Sequence, residues 1–113
     1  MVAVSLKKKV PDQVGVADAE ENARHCALRV LAQLEAAAGL ENVEQVLQVT
    51  VYVRSADSFE AQPQVGNAAS ELLVAVLGEA GRHARAAVGV NALPLGVPVE
   101  VSALALVRPP TRA

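Results

Sequence analysis

The sequence predicts an α+β domain in which two amphipathic helices cover one face of a β-sheet. Three observations predict it. Apolar residues recur at three-and-four spacing between residues 18 and 38 and again between 64 and 77, the period of a helix with one buried stripe. From Glu44 to Arg54, and again near the end of the chain, the period falls to two, which is that of a strand with unlike faces. The order helix, strand, helix, strand, strand then stacks as two layers. A chain of 113 residues suits a single domain, residues 1–113.

Each element has its own signals. Val2 to Lys8 reads as a leading strand, and Val10 to Val16, with Pro11 and Gly15, as a loop. Asp18 is a good N-cap, and Glu21 three positions on resembles the return arm of a capping box. Ala23, Cys26, Ala27, Val30, Leu31, Leu34 and Ala38 form the stripe of the first helix, and Gly39 suits its C-terminal stop. In the strand that follows, Leu47, Val49, Val51 and Val53 are expected on the core face and Gln48, Thr50 and Tyr52 on the other. Ser55 to Pro63 is polar and turn-rich. The second helix is expected from Gln64 to Leu77, on a stripe of Val65, Ala68, Ala69, Leu72, Leu73, Val76 and Leu77, with Gly78 and Gly81 at its end. Strands are expected from Arg85 to Asn91 and from Val99 to Val107. Leu93 to Pro98 joins them without a regular ladder, because of its prolines and glycine. Arg108 to Ala113 reads as a frayed tail.

Composition narrows the function classes. Hydrophobic residues make up 52% of the chain and charged residues 19%, which argues against disorder. Most of the apolar residues are small, so oligomerisation is expected as a way to bury more surface. The net charge is −2, with one Tyr, one Phe and no Trp. Nucleic-acid binders use basic faces and aromatic platforms, so nucleic acid is not an expected partner. Lys7 to Lys9 is the one basic cluster and reads as a solvated edge. Cys26 is the single cysteine, which excludes an intrachain disulfide. Neither a signal peptide nor an apolar run near the ~20 residues of a membrane span is apparent, so a cytoplasmic protein with no membrane partner is expected.

The segments Ala23–Leu31, Val49–Val53, His83–Val90 and Leu93–Val101, in that order and spacing, resemble the RidA/YjgF family. These are the reactive-intermediate deaminases, also called L-PSP endoribonuclease-like proteins. The resemblance covers about Lys9 to Val107 and is most specific from Arg85 to Glu100. It implies a chorismate mutase-like fold of the bacillus type: a mixed sheet with two helices on one face, here with shortened N-terminal strands. It further implies a homotrimer with ligand pockets in the clefts between subunits. Active members hydrolyse 2-enamines and 2-imines, such as 2-aminoacrylate, to 2-oxo acids and ammonia. By resemblance, Arg85 grips the substrate carboxylate, Glu100 places the attacking water or relays protons, and Asn67 lies near the same cleft.

The chemistry fits those residue types. A guanidinium holds a carboxylate by two parallel charge-assisted hydrogen bonds. Imine hydrolysis needs water delivered to carbon and a proton delivered to nitrogen, and one carboxylate of suitable pKa serves both steps. Each residue also has a plainer role available: a surface ion pair for Arg85, a solvated strand position for Glu100, helix-end hydrogen bonding for Asn67. Cys26 lies on the apolar stripe and reads as a small buried hydrophobe. His25 and His83 lack ligand spacing, so no metal is expected. The glycines match no phosphate loop, and no cofactor is expected.

Were the last two strands a plain hairpin, Val90 would oppose a residue near Glu100, leaving Arg85 roughly 17 Å away at ~3.3 Å per residue. Either the connection is not a plain hairpin, or the pocket joins residues of two subunits.

The chain also departs from the family pattern. A pocket Tyr and Ser of active relatives come from a region ahead of Val10 that is short here. Ala87 stands where some members carry Cys, and Ser102 where an acidic residue is common. Three readings follow: an imine deaminase acting on a 2-imino acid, a non-catalytic trimer binding a small carboxylate or 2-oxo acid, and, third, an endoribonuclease or translation inhibitor.

Overall fold

The computed structural model of the protein describes residues 9–109. The proposed leading strand at Val2 to Lys8, and with it the shortened N-terminal strands, lies outside the described residues, as does most of the expected tail. The described elements are helix α1 (Val16–Ala38), strand β1 (Val43–Arg54), helix α2 (Gln62–Leu77), strand β2 (Ala84–Val90) and strand β3 (Val99–Val107). Short 3-10 turns occupy Leu40–Asn42, Gly78–Gly81 and Pro94–Gly96.

α1 starts three residues earlier than its sequence signals suggest, with its N-cap at position 15 and not 18. Gly15 is the N-cap and, being glycine, offers no side chain to cap the helix; the ladder opens with the Ala19 amide donating to the Gly15 carbonyl at 2.9 Å. Asp18 therefore sits inside the first turn, where it still favours the positive end of the helix dipole. Glu21 does not reach back to close a capping box. Its carboxylate holds Arg24 at 2.9 Å instead. The buried stripe is Ala19, Ala23, Ala27 and Leu31, flanked by half-buried Cys26, Val30 and Leu34. At the far end the Gly39 amide donates to the carbonyls of Leu34 and Glu35, and its φ of 86° explains the glycine.

β1 is the central strand. The sheet order is β2-β1-β3, with β2 parallel and β3 antiparallel to β1. The last two strands are thus not a hairpin: β3 passes to the other side of β1. Val49, Val51 and Val53 are fully buried under the helices. Leu47, expected beside them, is 44% exposed and Val46 takes its place in the core at 1%. The cause is a shift in the β1–β3 register between Val46 and Gln48, a bulge that turns the alternation over within one residue. A second shift, between Val43 and Gln45, does the same nearer the strand start. Val53 pairs with Val99 and Val49 with Ala103, so β3 keeps its small apolar residues toward the helices.

α2 begins at Gln62, with Pro63 in its first turn. Proline suits that position because its missing amide has no partner there in any case. Val65, Ala68, Ala69 and Leu73 are buried against the sheet and α1, whereas Val76, expected in the stripe, is 48% exposed in the last turn. Gly81 closes the following 3-10 turn and is buried. A Cβ added there would lie 2.4 Å from the Leu73 carbonyl oxygen. The turn is thus pressed directly against the backbone of α2, and Gln45 reaches over from β1 to donate to the Arg82 carbonyl.

Two glycine replacements separate these roles. Gly81→Ala is expected to cost about 1–3 kcal/mol in urea unfolding, the usual range for forced overpacking. At Gly15 an added Cβ meets nothing within 4 Å, so Gly15→Ala should stay within about 0.5 kcal/mol of the parent. Equal stability of the two variants would contradict the packing described.

Candidate functional site

Register decides which side chains of β2 face the helices. Arg85 pairs with Val49, Ala87 with Val51 and Gly89 with Val53, all on the helix-covered face of the sheet. β2 thus presents one long cation followed by two very small residues to the underside of α2. The small residues let the helix come close: a Cβ on Gly89 would lie 2.7 Å from Gln62 Nε2, and one on Gly66 would lie 3.3 Å from both the Ala87 Cβ and the Arg85 Cζ. The Arg85 guanidinium therefore lies along the backbone of α2 at Gly66.

Its hydrogen bonds are to neutral groups. Arg85 Nη1 donates to Asn67 Oδ1 at 2.8 Å and to Ser70 Oγ at 3.3 Å, and Nη2 donates to the Pro63 carbonyl at 3.4 Å. A guanidinium has five N–H donors, so these three leave two without an acceptor among the described residues. The ion pairs among the described residues join Arg24 and His25 to Glu21 and Arg82 to Glu79, and none involves Arg85. A half-buried cation held in place without a counter-charge is the electrostatic signature of the site.

Behind Arg85 a second polar pair completes the arrangement. Ser70 Oγ lies 2.9 Å from His83 Nε2, and His83 Nδ1 lies 2.6 Å from the Gly81 carbonyl oxygen. Arg85 and Asn67, which the family resemblance assigns to one cleft, are hydrogen-bonded directly. Pro63, Gly66, Ser70 and His83 were not among the residues expected there. The signal was there: Pro63, Gly66, Asn67 and Ser70 fall at helical spacing and form one face of α2. That face carries small and polar residues, so following the apolar stripe passes over it.

Glu100 lies elsewhere in the chain. It pairs with Tyr52, three residues along β1 from the partner of Arg85, and is exposed. An odd offset on a strand changes face, so Arg85 is on the helix-covered side and Glu100 on the open side. A single chain does not bring them together.

Burial raises the pKa of the Cys26 thiol. The Arg29 charge lowers it by less, and Glu100 raises it further. The Sγ also lies 3.6 Å from the Val99 carbonyl oxygen. This is the environment of an inert packing cysteine. Among the described residues no group of three or more His, Cys, Asp or Glu could hold a metal ion, and no helix is long and apolar enough to cross a membrane.

A concavity of about 330 Å³ opens at the C-terminal ends of the parallel strands, lined by Ser55, Phe59, Gln62, Gly89 and Asn91 among others. Arg85 does not line it. The guanidinium instead lies half-buried against α2, on the edge strand β2.

The sequence matches the family described as endoribonuclease L-PSP over residues 4–107. The chain belongs to this family, also called YjgF/RidA. It is 50% identical over 91 residues to protein TCP17 of Trypanosoma cruzi, an alignment covering 79% of this chain and 57% of TCP17. Among solved structures it resembles Atu1372 of Agrobacterium tumefaciens, a protein of unknown function. The TM-score is 0.87 and the identity 40%, over 92% of this chain and 68% of that one. A putative endoribonuclease from Shewanella oneidensis superposes with a TM-score of 0.81 at 27% identity, over 90% of this chain and 68% of that one. The two helices and mixed three-stranded sheet are thus the L-PSP family fold. This chain spans little more than half the length of TCP17.

The raised thiol pKa has a consequence in solution. At pH 8.5 less of Cys26 is thiolate than in an unfolded chain, so iodoacetamide should alkylate it several-fold more slowly in the folded protein than in urea. Alkylation of the folded protein as fast as in urea would contradict its burial.

Proposed function

We propose that this protein holds a small organic carboxylate on Arg85 and hydrolyses 2-imino acids to 2-oxo acids and ammonia. The observation that supports this reading is the Arg85 guanidinium, fixed by three neutral acceptors and left with spare donors and no acidic partner among the described residues. Two N–H groups match the demand of a carboxylate for charge-assisted hydrogen bonds. Gly66 and the small side chains of β2 give the guanidinium its seat, and Asn67 fixes its rotation. Orientation is most of what such a substrate requires, because a 2-imino acid is already reactive toward water.

The water-handling carboxylate in this reading is Glu100 of a neighbouring protomer. Glu100 and Arg85 lie on opposite faces of one sheet, so a joint site draws one residue from each of two chains. The open face supplies a reason for self-association. Val88, Leu104 and Leu106 are 40%, 61% and 49% exposed on the side of the sheet that no described element covers. Closing that face against copies of the chain, as a homotrimer, buries apolar surface that one protomer leaves in water.

A second reading, carboxylate binding without turnover, is favoured by the place of Glu100. If the assembly does not deliver it to Arg85, the site retains an anion grip and no acid–base group beside it. Endoribonuclease activity, which the family description suggests, fits less well with a net charge of −2 and two aromatic residues in the whole chain.

The reaction itself decides. With 2-aminoacrylate generated in situ, the protein should release pyruvate faster than buffer, and Arg85→Ala should lower kcat/KM by about a hundredfold without changing the oligomeric state. Release no faster than buffer, with benzoate or 2-oxobutyrate still bound through Arg85, would select the second reading. Gly66→Ala should fold and yet weaken benzoate binding several-fold, since its new methyl displaces the guanidinium. Unchanged affinity would contradict the seating described.

A further inference from the structure

We propose that Ser70 and His83 are positioning residues of the anion site, forming a one-way hydrogen-bonded chain that locks the Arg85 guanidinium in its binding orientation. The inference rests on Arg85 being the anion grip, and it adds to that reading what holds the grip still.

The direction of the chain follows from its far end. The Gly81 carbonyl can only accept, so at 2.6 Å the proton must be on His83 Nδ1. A neutral imidazole carries one ring proton, which makes Nε2 an acceptor. In that neutral form the Ser70 hydroxyl, 2.9 Å from Nε2, donates to it. With its proton committed, Ser70 Oγ turns lone pairs toward Arg85 Nη1 at 3.3 Å. A free serine hydroxyl rotates and can donate or accept, whereas this one is held as an acceptor. Nη1 is thus gripped from both sides, by Ser70 Oγ and by Asn67 Oδ1.

The anchor is equally constrained. Gly81 is buried so tightly on α2 that even a methyl group would meet the Leu73 carbonyl at 2.4 Å. Its own carbonyl is therefore a fixed reference point. The chain starts on that turn, returns through His83 to Ser70 on α2, and ends on β2. It ties together the three segments that must keep register for the guanidinium to stay at Gly66. Hydrogen-bond partners placed behind a binding group in this way orient it without touching its ligand.

The test is a double-mutant cycle on benzoate binding by the full chain, with a spectroscopic arm that needs no ligand. Ser70→Ala and His83→Ala should each weaken binding about fivefold, the scale of one hydrogen bond. The double variant should be no weaker than either single one, because both break the same chain. Ser70→Thr, which keeps the hydroxyl, should restore affinity. Losses that multiply to about twenty-five-fold, or single variants that bind like the parent while Arg85→Ala does not bind, would overturn the proposal. If the parent binds no benzoate, the anion-grip reading has failed, and nitrogen NMR still judges the chain. The parent should show His83 protonated at Nδ1 alone. Ser70→Ala should shift Nε2 and average the Arg85 Nη signals. An Nε2-protonated ring, or Arg85 signals indifferent to Ser70→Ala, would overturn it.

Discussion

Parallel strands cannot be joined by a tight turn; the chain must cross over, and between β1 and β2 it crosses as α2. That constraint lays the helix along β2 and brings two surfaces to van der Waals distance. On the strand the surface is Arg85, Ala87 and Gly89, and on the helix it is Gln62, Gly66 and Ser70. Small residues meet wherever backbones approach, and the one long side chain runs out between them. The site is a by-product of that packing. A larger residue at position 66, 87 or 89 would lift the helix and release the guanidinium from its acceptors.

A cation taken partly out of water needs compensation, and proteins usually supply a carboxylate. Here the compensation comes from an amide oxygen, a hydroxyl and a backbone carbonyl. Each satisfies a donor without neutralising the charge. The positive field at the edge of β2 therefore persists, and an arriving anion does not first displace an internal partner. Such an arrangement is what the proposed anion grip requires of an arginine.

Much of this was legible in the sequence, for identifiable reasons. The 3.6-residue period of Ala23 to Leu34 and the two-residue period of Val49 to Val53 come from burial on one face, so they survive in the string. Arg85 stood out through the family resemblance, which is most specific from Arg85 to Glu100. What the string does not carry is register. The bulge at Val46 to Gln48 leaves no residue signature, so Leu47 was expected in a core that Val46 fills. The start of α1 was missed because Asp18 and Glu21 look like a capping box, while the Gly15 carbonyl had already begun the ladder. The wrap of β3 around the far side of β1, and hence the opposite faces of Arg85 and Glu100, is a long-range choice. Local pattern could only frame it as alternatives. Ser70 and His83 stayed hidden because a hydroxyl and an imidazole thirteen residues apart acquire meaning only once α2 and the Gly81 turn are folded onto each other.

The Arg85 guanidinium, seated under α2 with no acidic partner among the described residues, is the proposed anion grip of a site completed by a second copy of the chain. A crystal structure of the protein with 2-oxobutyrate tests it most directly. The ligand carboxylate is expected to pair with Arg85, with Asn67 and Ser70 still on Nη1 and Glu100 of an adjacent protomer lining the same cleft. Arg85 paired with an acidic side chain instead, or facing open solvent with the ligand elsewhere, would contradict it.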